Sequence, residues 1–159
     1  MSFRIRVDAD SLRFAAGHFA TFGGDLEPVH GHNYRVTAEL AGLLTEESWV
    51  MDFGVVKETL REICGRLDHK FLLQSDSRSI GIEATGDEYT LTFAERRYVM
   101  PVGDVCALPV DNITAERLAE WIASELVRTL MSQHFGNVTS VTVGVEEAPG
   151  QSAWFTQSL

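Results

Sequence analysis

Cysteine is scarce in this 159-residue chain: Cys64 and Cys106 are the two it has, and they lack the spacing of a disulfide framework. Long hydrophobic runs are missing too, and none approaches the roughly 20 apolar residues that cross a bilayer. The opening stretch, MSFRIRVDAD, holds no apolar segment of the signal-peptide kind, so a reduced, cytoplasmic protein is expected. Positive charge is also in short supply. Lys and Arg number 13 against 23 Asp and Glu, for a formal net charge of −10. Gripping a phosphate backbone takes Lys and Arg, so nucleic acid is a poor match as a partner, and a small molecule or another protein is favoured. A strongly anionic substrate would need a local basic pocket. Repeats, low-complexity tracts and Pro/Gly/Ser linkers are absent, and 45% of the residues are hydrophobic. One domain spanning 1–159 with a sizeable core follows.

What the chain does have is periodicity. Residues 3–19, FRIRVDADSLRFAAGHF, alternate as a strand, with Phe3, Ile5 and Val7 in one phase and Leu12, Phe14 and Ala16 in the other. A bulge or bend at 8–11 accounts for the slip. Residues 32–42 alternate cleanly, with Tyr34, Val36, Ala38 and Leu40 on one face. Segment 52–67 predicts a helix with Val56, Leu60, Ile63 and Leu67 as its apolar stripe and Asp52 as N-cap. Segment 114–130 predicts a second, with Leu118, Ile122, Leu126 and Leu130 as stripe, Thr114 as cap and Glu116 in the first turn. Between them, 78–101 predicts a small β insert that turns at TGDE. The chain closes on VTSVTVGVEE, where Val141, Val143 and Val145 alternate. Strands grouped around two helices, with no regular βαβ alternation, predict an α+β fold with an antiparallel sheet.

The chain has five histidines, and two of them fall in EPVHGHNYRV, residues 27–36. Side chains two apart on a strand share a face, so His30 and His32 point together if the strand begins by residue 30. His18 ends the preceding strand, and a hairpin would bring it alongside. Three neutral imidazoles around an open fourth position form the donor set of a catalytic zinc site. Two solvated turn histidines beside an unrelated core histidine would show the same spacing, which leaves both open. His134, in MSQHFGN, belongs to no motif and reads as a surface residue.

The surrounding motifs narrow the choice. FAAGH, then HGHNY, LDHK, NITAE and a late Val-x-Val-x-Glu together resemble the 6-pyruvoyltetrahydropterin synthase family, from about Phe14 to Phe155, with the insert as the break. That family includes the 6-carboxytetrahydropterin synthases of deazapurine (queuosine) biosynthesis. The resemblance implies the tunnelling fold: an antiparallel sheet with two helices, three subunits joining their sheets into a barrel, and two barrels stacking into a hexamer with sites between subunits. It implies that His18, His30 and His32 hold Zn2+, whose open position takes and acidifies hydroxyls of a pterin side chain.

The resemblance also implies that Asp68 and His69, in RLDHKF, assist proton transfer at a neighbouring subunit's site, the carboxylate orienting the imidazole. Read alone, the pair is a helix-end Asp beside a surface histidine. The resemblance further implies that a late glutamate clasps the ring N–H and amino group of the pterin with two parallel hydrogen bonds. Glu147 shares a face with Val141, Val143 and Val145, whereas Glu146 falls on the other. Thr114 matches the segment that lines the pterin pocket, and it also suits simple helix capping.

One position departs from the better-known members. The pyruvoyl- and carboxy-forming enzymes carry a catalytic cysteine six or four residues before the first histidine of His-Gly-His, where this chain has Gly24 and Leu26. No cysteine lies from Phe19 to Val29. Glu27 stands three residues before His30 instead, as in a branch of the family associated with cleaving 7,8-dihydroneopterin triphosphate to 6-hydroxymethyl-7,8-dihydropterin, a folate precursor. A thiolate suits proton abstraction from carbon, while a carboxylate suffices for a metal-polarised hydroxyl. Glu27 is therefore the candidate base; a solvated loop acid beside Asp25 is the plainer alternative. Cys64 reads as a small core residue, and Cys106 remains as a candidate displaced thiol. The expectation is a zinc-dependent lyase acting on the side chain of dihydroneopterin triphosphate. A 6-pyruvoyl- or 6-carboxytetrahydropterin synthase is the first alternative, and a non-catalytic metal- or pterin-binding protein the second.

Overall fold

Two long strands, β1 (Phe3–His18) and β4 (His30–Gly42), pair antiparallel from Phe3 opposite Gly42 to His18 opposite His30. Their alternating apolar residues drive the pairing, since Phe14, Tyr34, Val36, Ala38 and Leu40 all bury on one face. The computed structural model describes residues 2–133 and 136–159, so His134 lies outside the described residues. Between Asp8 and Arg13 on β1, the partner moves only from Thr37 to Arg35. That odd surplus on β1 flips the pleat, and the buried set passes from Val7 to Leu12. The connecting loop contains a miniature hairpin, β2 (Thr21–Phe22) and β3 (Asp25–Leu26). Gly23 and Gly24 turn it at φ of 60° and 84°, left-handed values that glycine adopts without strain.

β10 (Val138–Ala148) pairs antiparallel with β4, and β11 (Gln151–Ser158) with β10. Helix α1 (Phe53–Leu67) then decides the other side of the sheet. It returns the chain to the level of Ala15, whose carbonyl accepts the His69 N–H at 2.7 Å. β5 (Lys70–Gln74) therefore starts beside the end of β1 and runs parallel to it, and β9 (Val105–Leu108) runs parallel to β5. The sheet order is β11-β10-β4-β1-β5-β9. The expected antiparallel arrangement holds for four strands, and the crossovers add two short parallel ones.

Asp52 caps α1 by accepting from the Gly54 and Val55 N–H groups at 2.6 and 3.3 Å. Thr114 caps α2 (Ala115–Ser132), accepting from Arg117 N–H at 3.3 Å; the helix continues to Ser132 rather than ending at Leu130. Both helices bury their stripes in one core with the strands, Leu60, Ile63, Leu118 and Ile122 against Tyr34, Val36 and Val143. No helix among the described residues is long and apolar enough to cross a membrane.

The segment expected as an insert forms its own antiparallel sheet, β6 (Gly81–Thr85), β7 (Glu88–Phe93) and β8 (Arg96–Pro101), turning at Gly86–Asp87. It packs on a second apolar cluster built from Phe19, Leu26, Phe71, Leu73, Ile80 and Leu91. β5 is thus covered on both faces, with Leu72 in the main core and Phe71 and Leu73 in the second.

Candidate metal centre

The β1–β4 register sets His18 opposite His30 and places His32 opposite Ala16. The three rings meet edge to face, with centroids 4.6 to 5.2 Å apart. One ring nitrogen from each falls within 4.8 Å of the other two. His18 Nδ1 lies 3.0 Å from the Ile113 carbonyl, and His30 Nδ1 lies 2.8 Å from the Pro28 carbonyl. A carbonyl only accepts, so both Nδ1 atoms carry hydrogen. Burial pulls the His18 pKa below its usual value, which keeps that ring neutral. The His18 and His30 Nε2 atoms lie 3.1 Å apart. A divalent cation between them would take a lone pair from each. The Nδ1–carbonyl bonds are the outer hydrogen bonds that orient metal-ligating imidazoles. The residues present therefore fit a zinc ion.

A cavity of about 440 Å³ opens over the histidines and is also lined by Glu27, Thr114, Glu116 and Glu147. Its wall holds these carboxylates and no Lys or Arg. Glu27 is fastened to the end of β1: its N–H donates to the Ala20 carbonyl at 2.9 Å, and Ala20 N–H donates to its Oε2 at 3.2 Å. Glu147 Oε1 lies 3.5 Å from His32 Nε2 and 3.8 Å from His18 Nε2. The Tyr34 hydroxyl donates to the same oxygen at 3.4 Å. Tyr34 is fully buried and stacked on Phe14 at 4.8 Å. Burial, and then the Glu147 charge, push its pKa up, so it stays a donor. Glu146 sits opposite Arg35 and lines a separate small recess.

Asp68 and His69 are not in this cavity. Asp68 accepts the Ala15 N–H at 2.8 Å, which holds its carboxyl below the usual range, and its other oxygen lies 2.9 Å from His69 Nδ1. His69 adopts φ 57°, turning its ring out to an exposed position. It borders a second cavity of about 760 Å³ with Gly17, Gly31 and Lys70, and His32 borders both cavities. Neither cysteine lines the histidine cavity. Burial in the core pushes the Cys64 thiol up to about 12, and burial also raises that of Cys106 on β9.

Three contributors escaped the sequence reasoning. Tyr34 is the first, because strand alternation marked it as core. Ile113 is the second, through its carbonyl on His18. Asn112 is the third: its side-chain amide donates to the Thr21 carbonyl and accepts the Thr21 N–H, both at 2.9 Å, like a strand residue. The NITAE motif was the available signal for the last two.

The family model for 6-pyruvoyl tetrahydropterin synthase matches residues 9–158. The chain belongs to this family. Its members are pterin synthases of the lyase type. A Methanocaldococcus jannaschii protein, provisionally named a 6-carboxy-5,6,7,8-tetrahydropterin synthase, is 32% identical over 149 residues, 93% of this chain and 91% of its own. A Halobacterium salinarum protein of the same provisional name is 32% identical over 143 residues, 89% of this chain and 81% of its own. The crystal structure of 6-pyruvoyl tetrahydropterin synthase from Plasmodium vivax matches with a TM-score of 0.94 at 28% identity, over 100% of this chain and 99% of that one. The tunnelling fold of the family member is therefore that of this chain. Two further structures of the Plasmodium vivax enzyme, each at TM-score 0.92, carry alanine or cysteine in place of a catalytic residue, a glutamate.

Proposed function

We propose that this protein is a zinc-dependent lyase that cleaves the side chain of 7,8-dihydroneopterin triphosphate to give 6-hydroxymethyl-7,8-dihydropterin. The observation that carries the reading is that a carboxylate, Glu27, shares the histidine cavity, and no thiol does. A catalytic glutamate in the Plasmodium vivax relative supports it. Zinc, when bound to His18, His30 and His32, would polarise the substrate hydroxyls. Glu147 receives the ring N–H and amino group of the pterin, steadied by Tyr34. Glu27 takes the proton from the hydroxyl on the second side-chain carbon. The bond between the first and second side-chain carbons breaks, and its electron pair enters the dihydropterin imine. A proton then returns to the first carbon, leaving the hydroxymethyl group and a two-carbon aldehyde that keeps the triphosphate. His69, paired with Asp68 on a neighbouring subunit, delivers that proton; within one chain His69 borders a different cavity.

Edge strands β9 and β11 leave backbone groups for pairing, which supports closure of three subunits into a barrel and of two barrels into a hexamer. A wall without Lys or Arg supports leaving the triphosphate outside the 440 Å³ cavity. Thr114 lines the cavity beside the pterin position.

The test is incubation of the zinc-loaded protein with dihydroneopterin triphosphate and identification of the product by mass spectrometry. 6-Hydroxymethyl-7,8-dihydropterin with a two-carbon aldehyde triphosphate is the expected result. A 6-carboxytetrahydropterin product would assign the reaction that the names of the archaeal relatives favour. Bound pterin and full zinc without turnover would make it a binding protein.

A further inference from the structure

The loop that carries Glu27 is tethered from three sides. Asn112 clamps Thr21 through both amide groups. Gln74, buried on β5, donates to the Phe19 carbonyl at 3.0 Å. The third tether comes from the insert. Arg96, at the start of β8, donates from Nη1 to the Leu26 carbonyl at 2.7 Å and from Nη2 to the Asp25 carboxylate at 2.7 Å. Its guanidinium lies over the Phe93 ring, 5.3 Å from the centroid. The Leu26 side chain is 2% exposed and belongs to the same apolar cluster as Leu91 of β7. The insert therefore holds the residue just before Glu27 by both its carbonyl and its side chain.

We propose that the 78–101 insert is a positioning element for Glu27, with Arg96 as the positioning residue. The proposal rests on the reading of Glu27 as the base. A guanidinium is a rigid planar fork, so bonding two acceptors of one turn fixes the orientation of the Leu26–Glu27 peptide and not only its distance. Only that peptide and the Ala20 bridge lie between the insert and the carboxylate. Without the fork, Asn112 and Gln74 still hold the Phe19–Thr21 side, and the Gly23–Gly24 turn lets the Asp25–Leu26 side shift against it. Global stability is not the reason for the contact. Asp25 is 79% exposed, and an ion pair so open to water adds little to the folded state.

The test uses the full-length, zinc-loaded protein as wild type, Arg96→Ala, Arg96→Lys and Glu27→Gln. Arg96→Ala should lower kcat about 10- to 100-fold, the cost of an ångström-scale misplacement, with KM, zinc content and Tm at wild-type values. Hydrogen exchange at the Ala20 and Glu27 amides should accelerate about 10-fold through local opening, while the paired amides of β1 and β4 stay protected. Arg96→Lys should recover part of kcat, because an ammonium reaches the Leu26 carbonyl but cannot form the fork. A wild-type kcat with unchanged exchange in Arg96→Ala would overturn the proposal. So would a loss of kcat matched by losses of zinc and Tm. Wild-type turnover in Glu27→Gln would instead remove the base itself, and the exchange rates would then decide alone whether Arg96 orders the loop.

Discussion

Glu27→Gln separates proton abstraction from everything else the side chain does. In the folded protein Glu27 accepts the Ala20 N–H through Oε2 and returns its own N–H to the Ala20 carbonyl. A glutamine keeps an acceptor oxygen, so the first bond survives, and the second is backbone and unaffected. The cost in stability should stay below the ~1 kcal/mol net worth of one hydrogen bond. Zinc content should not move either, because the donor set is His18, His30 and His32. What is lost is a proton acceptor. A general base contributes roughly 10²- to 10⁴-fold, which is about 2.7 to 5.4 kcal/mol of barrier at 1.36 kcal/mol per tenfold. The assay is single-turnover formation of the pterin product, measured beside metal analysis and equilibrium pterin binding. The expected result is a fall of that size with zinc and binding intact. A wild-type rate refutes the reasoning. The thiol of Cys106 would then be the group to examine, by alkylation with and without substrate protection.

Purified protein should carry about one zinc per chain at an open three-histidine site; His32→Ala should abolish binding and turnover, and stoichiometric zinc in a triple alanine variant of His18, His30 and His32 would refute the site. Light scattering should report a hexamer, and a monomer at micromolar concentration would leave Asp68 and His69 without a neighbouring site to serve. Glu147→Gln should weaken pterin binding about 5- to 150-fold, the 1–3 kcal/mol cost of facing a donor with a donor; an unchanged Kd would remove Glu147 as the anchor. Asp68 is held below the usual carboxylate range chiefly by the Ala15 N–H. Its contribution to stability is therefore present above its unfolded pKa of about 3.9 and is lost as pH falls through its lower folded value. Asp68→Asn should flatten the acid side of the stability-versus-pH curve, and an unchanged curve would refute that coupling.

Periodicity is a local property, and what depends on it was legible in the sequence. The phase slip between Val7 and Leu12, the stripes of both helices, the caps Asp52 and Thr114, and the turn at Gly86–Asp87 all follow from neighbours a few residues apart. The same parity put His30 and His32 on one side of β4 and separated Glu147 from Glu146 on β10. The fold decided what depends on where distant segments arrive. α1 delivers β5 alongside β1, which makes that part of the sheet parallel and turns His69 away from Glu27. Ile113 reaches His18 across 95 positions, Tyr34 reaches Glu147 across 113, and Arg96 reaches Leu26 across 70. No repeat of two or 3.6 residues encodes such contacts. They appear only when packing of the two apolar clusters brings the insert and the start of α2 against the β1–β4 loop.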